Sequence, residues 1–348
     1  MQAVVLVGGE GTRLRPLTLT QPKPALALVD RPFIRFMVDW LGHHGVDEVV
    51  MACGFRPADL RAALGDGVPG GVSIRYLEED EPLGTAGPVR LAADRGLLGE
   101  QFMVLNGDVL TDLDLTALQR QHSETDAVIT LALYPVEDPT SYGLVRTAAD
   151  GEVLGFLEKP DPEQIDTDQI NAGAYVVESS ALELIPPGRA VSIEREVFPR
   201  LVGRGLFGRR LEGYWMDIGT PPRYLQACWD ILEGAVQTDL PQTGGPFIDA
   251  SARVAPEATI EPRAVVRAGC VAESGVLVAE SVLLDDCRIG AEAVVRGAIL
   301  GPEVELGERA EIAPGAVIGR AARIAPGARV DGDARVAPRD TVEAVTAA

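Results

Sequence analysis

The chain is predicted to fold as an α/β domain with a doubly wound, mostly parallel sheet over residues 1–240, followed over 241–348 by a coil of six-residue repeats. Three observations predict this. Short apolar runs alternate with amphipathic segments up to about residue 240, the texture of strand and helix in turn. The loop-like stretch Pro241-Gln242-Thr243-Gly244-Gly245-Pro246 interrupts that pattern. Beyond it aliphatic residues recur six apart, a period that neither a helix, at roughly 3.6, nor a strand, at roughly 2, produces.

In the first part, Ala3-Val4-Val5-Leu6-Val7, Val49-Val50-Met51, Ile74-Arg75-Tyr76-Leu77 and Phe102-Met103-Val104-Leu105 read as strands. Between the first two, Phe33, Ile34, Met37, Val38 and Leu41 make the stripe of a helix packed on a sheet, with Pro32 suited to its first turn. Strand, helix and strand in succession imply parallel pairing. Ligands of such sheets lie beyond the carboxyl ends of the strands, where the loops Gly8 to Arg15 and Asn106 to Val109 fall.

In the second part Ile248, Val254, Ile260 and Val266 fall six apart. The register blurs between about 267 and 305, with local fits at Leu283, Ile289 and Val295. It returns at Leu306, Ile312, Ile318, Ile324, Val330, Val336 and Val342. An aliphatic at one position, a small residue four later, and Gly or Pro at the corners, as in Ile312-Ala313-Pro314-Gly315, describe a coil whose every side buries one aliphatic in a shared interior. The repeat resembles the hexapeptide signature of left-handed parallel β-helices. Such prisms have flat faces and open ends that need cover, so homo-oligomerisation through this domain is implied.

Composition narrows the function. In 348 residues, 46% are hydrophobic and 24% charged, the profile of a globular protein. The formal charge of −21 repels nucleic acid and anionic membranes alike. No apolar stretch approaches the length that spans a bilayer, and the expected compartment is the cytoplasm. The four cysteines, Cys53, Cys228, Cys270 and Cys287, form no C-x-x-C pair and are expected as free, buried thiols.

The chemistry starts at Gly8-Gly9-Glu10-Gly11-Thr12-Arg13-Leu14-Arg15, directly after the first strand, with Pro22-Lys23-Pro24 following. Glycines let backbone N–H groups approach a phosphate chain, and Arg13 and Lys23 neutralise it. The spacing is neither the Walker pattern nor the dinucleotide fingerprint. Asn106-Gly107-Asp108 places a carboxylate after the strand ending at Leu105, and Trp215-Met216-Asp217-Ile218-Gly219 supplies a second between apolar residues. Carboxylates beside a triphosphate call for Mg²⁺ between them. Taken singly, Asp108 also fits an ordinary turn, and Asp217 also fits a cap on the helix that Thr220-Pro221-Pro222 opens. Lys159, in Glu158-Lys159-Pro160, offers a charge for a second phosphate, and Glu158 and Asn171 offer acceptors and donors for vicinal hydroxyls. Taken singly, Leu83-Gly84-Thr85-Ala86-Gly87 reads as a bare glycine loop; in this company Gly84 and Thr85 could bring backbone groups close to a base or ribose.

Together these strings, with Asn171-Ala172-Gly173, resemble the sugar-1-phosphate nucleotidyltransferases, and the hexapeptide tail extends the likeness to nearly the whole chain. Within them Glu81 to Gly87, Ile170 to Gly173 and Ser192-Ile193-Glu194-Arg195-Glu196-Val197-Phe198-Pro199 look most like the mannose-1-phosphate guanylyltransferases. The resemblance implies transfer of a nucleotidyl group from a nucleoside triphosphate, GTP first, to a sugar 1-phosphate, mannose 1-phosphate first. Leu6, Gly8, Gly9, Gly11, Thr12, Arg13, Lys23, Gly84, Thr85 and Asp108 would hold the nucleotide, with Arg13 and Lys23 catalytic. Gly143, Glu158, Lys159 and Asn171 would hold the sugar phosphate, and Asp108 and Asp217 the Mg²⁺.

The alternatives are the same chemistry on glucose 1-phosphate with dTTP, UTP or ATP, the same chemistry on a cyclitol phosphate, or a non-catalytic regulatory homologue. The last is disfavoured because Arg13, Lys23, Asp108 and Asp217 are all present. Acyl transfer in the tail is disfavoured because His43, His44 and His122 all precede it. Three residues depart from the family pattern. Glu10 is an anion in the phosphate loop and is expected to point to solvent, Phe36 stands where His is frequent, and Leu144 stands where Val is frequent.

Overall fold

A computed structural model describes residues 1–67, 71–242 and 244–344. Thr243 of the predicted linker and the last four residues of the predicted second domain lie outside the described residues. The chain forms two compact units: Met1–Gly9 with Met37–Trp215, and Glu10–Phe36 with Met216–Ala348. The segment carrying Arg13 and Lys23 therefore belongs to the unit that contains the repeats.

The first unit is built on a nine-stranded sheet. Its strands are β1 (Gln2–Leu6), β2 (Glu48–Cys53), β3 (Ser73–Glu78), β4 (Gln101–Asn106), β5 (Ile129–Pro135), β6 (Gly143–Thr147), β7 (Val153–Glu158), β8 (Gln169–Glu178) and β9 (Leu206–Arg210). The four strands expected from apolar runs are β1 to β4. They pair in parallel in the order β4-β1-β2-β3, as the alternation with helices requires. β8 then runs antiparallel to β4 and extends the sheet into β5, β6 and β7. β9 returns parallel beside β5. Apolar side chains from the parallel and antiparallel halves share one core, in which Val4, Phe102, Val104, Tyr175 and Phe198 are fully buried. The predicted stripe Phe33, Ile34, Met37, Val38 and Leu41 is buried on the helix Phe33–His43. Pro32 lies just before that helix, paired with Ala27 in a two-residue strand.

In the second unit the repeats wind through three parallel sheets of two- and three-residue strands, the arrangement of a left-handed parallel β-helix. One aliphatic per side points inward, and Val266, Val278, Leu283, Ile289, Val295, Leu300, Leu306 and Ile312 stack in one buried column set. The blurred register has a simple cause. The inward positions run Val278 to Leu283 and Val295 to Leu300, so two sides are one residue short. Strand pairing follows: Val265 meets Val282 and Val282 meets Ile299, whereas Arg253 meets Val271 and Ile299 meets Val317. At the first short corner Ser281 is fully buried, its hydroxyl donating to the Ala279 carbonyl (2.7 Å) and accepting from the Ala298 N–H (3.1 Å). Cys270 and Cys287 occupy the small-residue position of the repeat, and all four cysteines are free and buried. No helix among the described residues is long and apolar enough to cross a membrane.

Candidate functional site

The part of the glycine-rich loop that lies in the second unit is fastened from below. Leu14, Leu17 and Thr18 are buried. Gly11, left-handed at φ 61°, turns the chain so that its carbonyl accepts from the Leu14 N–H (3.0 Å) and the Thr18 hydroxyl (2.9 Å). A Cβ on Gly11 would also lie 3.0 Å from the Lys23 stem, so glycine serves both conformation and packing here. With the loop anchored, Thr12 and Arg13 stand exposed. Glu10 is exposed as expected and pairs with Arg15 (2.9 Å). Phe36 is buried beneath the Arg31 guanidinium, 5.2 Å from its ring centroid.

Lys23 is the unusual cation. It opens a 3₁₀ turn, Lys23–Ala25, and its side chain is only 9% exposed, with Nζ 3.9 Å from Asp217 Oδ1. Asp217 is not a helix cap. Thr220 precedes the helix Pro221–Glu233, and Asp217 instead accepts from Arg223 (3.2 Å). Gly219 leaves the space that Arg13 fills, since a Cβ there would lie 2.5 Å from Arg13 Nη2 and 3.1 Å from Asp217 Oδ1. Within this unit, then, Arg13, Lys23 and Asp217 form one cluster. Lys23 and Arg223 pair with this carboxylate, and the exposed Arg13 guanidinium borders the space that Gly219 leaves open next to it.

The first unit carries the other predicted residues. Gly8 backs onto Gly54 and Glu79, and a Cβ on it would lie 3.1 Å from Glu79 Oε1. A Cβ on Gly9 would meet nothing within 4 Å, so no protein packing demands that glycine. Leu6 hands its carbonyl to the Gly107 N–H (2.9 Å), and the half-buried Asp108 follows. Gly84, at φ 74°, leaves no room for a side chain because a Cβ would lie 2.5 Å from the Val191 carbonyl. Thr85 spends its hydroxyl inside the protein. It donates to Glu194 Oε2 (2.7 Å) and accepts from the Ile193 N–H (2.8 Å).

Gly143 and Glu158 are cross-strand partners in β6 and β7, and Glu158 Oε2 would lie 3.1 Å from a Cβ on Gly143. Lys159 is exposed and left-handed at φ 52°, its N–H bound to the Tyr142 carbonyl (2.9 Å). Asn171 donates to the Tyr175 hydroxyl (2.9 Å) and accepts from the Gly173 N–H (3.0 Å). It braces an irregularity in β8, using one of its two amide hydrogens and its oxygen.

Burial pushes the Glu158 carboxyl above its ordinary range and nearby Glu194 adds to the shift, against the opposing pull of Lys159 and Arg195. A carboxylate raised in the folded state lowers stability above its folded pKa, and that penalty disappears below its unfolded pKa. Glu158→Gln is therefore expected to raise the melting temperature at neutral pH. The gain in melting temperature should vanish as the pH falls toward the ordinary carboxyl range. Equal melting temperatures for both proteins at pH 7 would count against the desolvation of Glu158.

Residues not singled out from sequence stand beside these. Glu194 lies on a π-helical turn, Ile193–Val197, tied to Thr85 and Ser192. Glu79 is half-buried, accepts from the Leu83 N–H (3.0 Å), and has its carboxyl raised by burial. Trp215 donates to the Ala172 carbonyl (2.8 Å), stacks on Tyr134 and meets Tyr142 edge-on. The usable signal for the carboxylates was their place within the Glu81 to Gly87 and Ser192 to Pro199 neighbourhoods. No local rule marks Trp215 as a wall.

Residues 2–234 match the family model of the nucleotidyl transferases, and residues 243–347 match that of the GMPPB C-terminal domain. The chain belongs to the sugar-1-phosphate nucleotidyltransferases of that family. This nucleotidyltransferase is 38% identical to the mannose-1-phosphate guanylyltransferase of Mycobacterium tuberculosis, over 85% of this chain and 83% of the relative. It is 36% identical to mannose-1-phosphate guanylyltransferase 1 of Arabidopsis thaliana and 39% identical to the mannose-1-phosphate guanyltransferase of Yarrowia lipolytica, each over 90% of this chain and 89% of the relative. Among solved structures it resembles HddC from Yersinia pseudotuberculosis, with a TM-score of 0.57 and 27% identity over 66% of this chain and 99% of that one.

Proposed function

We propose that the enzyme transfers a guanylyl group from GTP to mannose 1-phosphate, releasing pyrophosphate and forming GDP-mannose. The observation that carries the catalytic part is the cluster of Arg13, Lys23 and Asp217. The substrate identities rest on the names of relatives 36–39% identical over most of the chain.

In this reading a phosphate oxygen of the sugar 1-phosphate attacks the α-phosphorus in line. The bond to the β-phosphate oxygen breaks, and pyrophosphate leaves with the electron pair. The nucleophile is already an anion, so no general base is required. The barrier lies in bringing anions together and stabilising spread charge. Lys23 faces the α-phosphate, Arg13 takes the β- and γ-phosphates, and Lys159 binds the phosphate of the sugar. Glu158 and Asn171 orient the sugar hydroxyls, and the backbone at Gly8, Gly9 and Gly11 meets the phosphates, beside Thr12. Leu6, Gly84 and Thr85 support the nucleoside, and Gly143 makes room for Glu158.

Asp108 and Asp217 are hard oxygen donors of the kind Mg²⁺ takes alongside phosphate oxygens and water. Bound there, it would screen the phosphate charge. We extend the proposal to a cytoplasmic homo-oligomer assembled through the β-helix, which sizing combined with light scattering would test.

The deciding experiment is pyrophosphate release from a panel of GTP, dTTP, UTP and ATP against mannose 1-phosphate, glucose 1-phosphate and a cyclitol phosphate, with Mg²⁺. GTP with mannose 1-phosphate is expected to give the highest kcat/KM. A poor rate with GTP, or a better one with any other acceptor, would replace this reading by the matching alternative.

A further inference from the structure

The segment that follows Lys23 contains a backbone conformation a β-branched residue rarely takes. Ala27–Leu28 and Arg31–Pro32 pair as a short antiparallel hairpin, and its turn begins at Val29, which is left-handed at φ 51° and 1% exposed. For valine this is a genuine outlier, held only where the surroundings over-determine it. The surroundings here come from the β-helix and the helix before it. Arg267, at the end of the strand Val265–Val266, has a side chain only 12% exposed. Its Nη1 donates to the Val29 carbonyl (2.9 Å) while its Nε donates to Asp285 Oδ1 (2.8 Å). The buried Tyr224 hydroxyl donates to the Ala27 carbonyl, and Arg31 is held by Asp30 (2.7 Å) and Asp239 (2.8 Å).

The other end of the hairpin is Lys23. The Leu26 N–H donates to the Lys23 carbonyl (3.1 Å), and the Phe33 N–H donates to the Leu26 carbonyl (2.8 Å). From the arginine to the lysine the connection is a short run of buried, hydrogen-bonded backbone. We infer that Arg267 of the β-helix is a positioning residue for the reaction: by gripping the Val29 carbonyl it holds the strained turn that sets Lys23 beside Asp217. The β-helix then has a part in catalysis distinct from assembly. The inference rests on the reading of Lys23 as the cation at the α-phosphate.

The test is kinetic and uses the full chain with its best substrate pair. Arg267→Ala is expected to lower kcat about tenfold with both KM values little changed, since a displaced catalytic group costs rate out of proportion to distance. Arg267→Lys keeps a charge for Asp285 but cannot also reach Val29 with a rigid fork, and it is expected to fall between. It also serves if the alanine variant does not fold. Val29→Gly removes the strain and is expected to keep activity alone and to restore kcat when combined with Arg267→Ala or Arg267→Lys. An arginine that merely stabilised the coil would shift the unfolding midpoint without lowering kcat per folded enzyme, and Val29→Gly would rescue nothing. Either of those results overturns the inference. Lys23→Met run in parallel separates the failures: an unchanged rate there removes the reading of Lys23, whereas a lost rate there beside an unaffected Arg267→Ala removes only the role of Arg267.

Discussion

Lys23→Met is expected to reduce kcat for pyrophosphate release by about 2 to 4 kcal/mol of transition-state stabilisation, a factor of roughly 30 to 800. The magnitude follows from where the ammonium sits. Its stem packs against Gly11, its side chain is almost fully withdrawn from solvent, and Asp217 and Arg13 border the same space. A cation fixed in such a place needs no reorganisation when charge develops on the α-phosphate. Methionine retains the packing volume and removes only the charge, so the folded protein should persist, with Arg223 still bound to Asp217. Circular dichroism should therefore show an unfolding midpoint close to that of the parent. A variant that kept kcat within threefold of the parent would remove Lys23 from the reaction.

Gly107→Ala is expected to cost about 1 to 3 kcal/mol of stability, at or above the upper end of that range. A Cβ there would lie 2.4 Å from Val7 Cγ1, 3.1 Å from Val5 Cγ1 and 2.7 Å from the Leu6 carbonyl oxygen. Side chains can turn away from such a contact. The carbonyl cannot, because Gly107 is bound to that same oxygen through its N–H (2.9 Å) and the two segments are adjacent parallel strands. The backbone must shift, and Asp108 moves with it. A urea titration should show the midpoint falling with an unchanged slope, and pyrophosphate release should fall in the same variant. An unaltered midpoint would show that the close approach of Gly107 to β1 is not tight.

These two residues show how much of the site is legible in a chain of letters. Lys23 and Asp108 could be proposed from the sequence because a phosphate site needs particular residue types after a strand, and both strand and residue are local facts. What Gly107 does was not identifiable in that way. In the motif it is only the residue before Asp108, whereas the structure uses its missing side chain to let the chain lie against β1. The sequence placed only the backbone around Thr85 near a base or ribose and was silent on its hydroxyl, which locks the loop to Glu194 and Ile193. The packing of Trp215, which the sequence offered only as part of a motif, could not be read because nothing near it in sequence points to Tyr134, Tyr142 or Ala172.

By itself the amino-acid sequence determined the fold class, the strands β1 to β4, the coil of repeats and the inventory of cations and carboxylates. Those depend on periodicity and residue chemistry within a few positions. The tertiary structure alone decided that the sheet continues antiparallel from β8, that two sides of the coil are one residue short, and that the Arg13 and Lys23 segment joins the unit of the repeats. It also decided that Arg267 holds Val29, a partner 238 residues away. Such pairings are selected by packing and by the need to satisfy buried polar groups across the whole chain. No local window of sequence contains both partners.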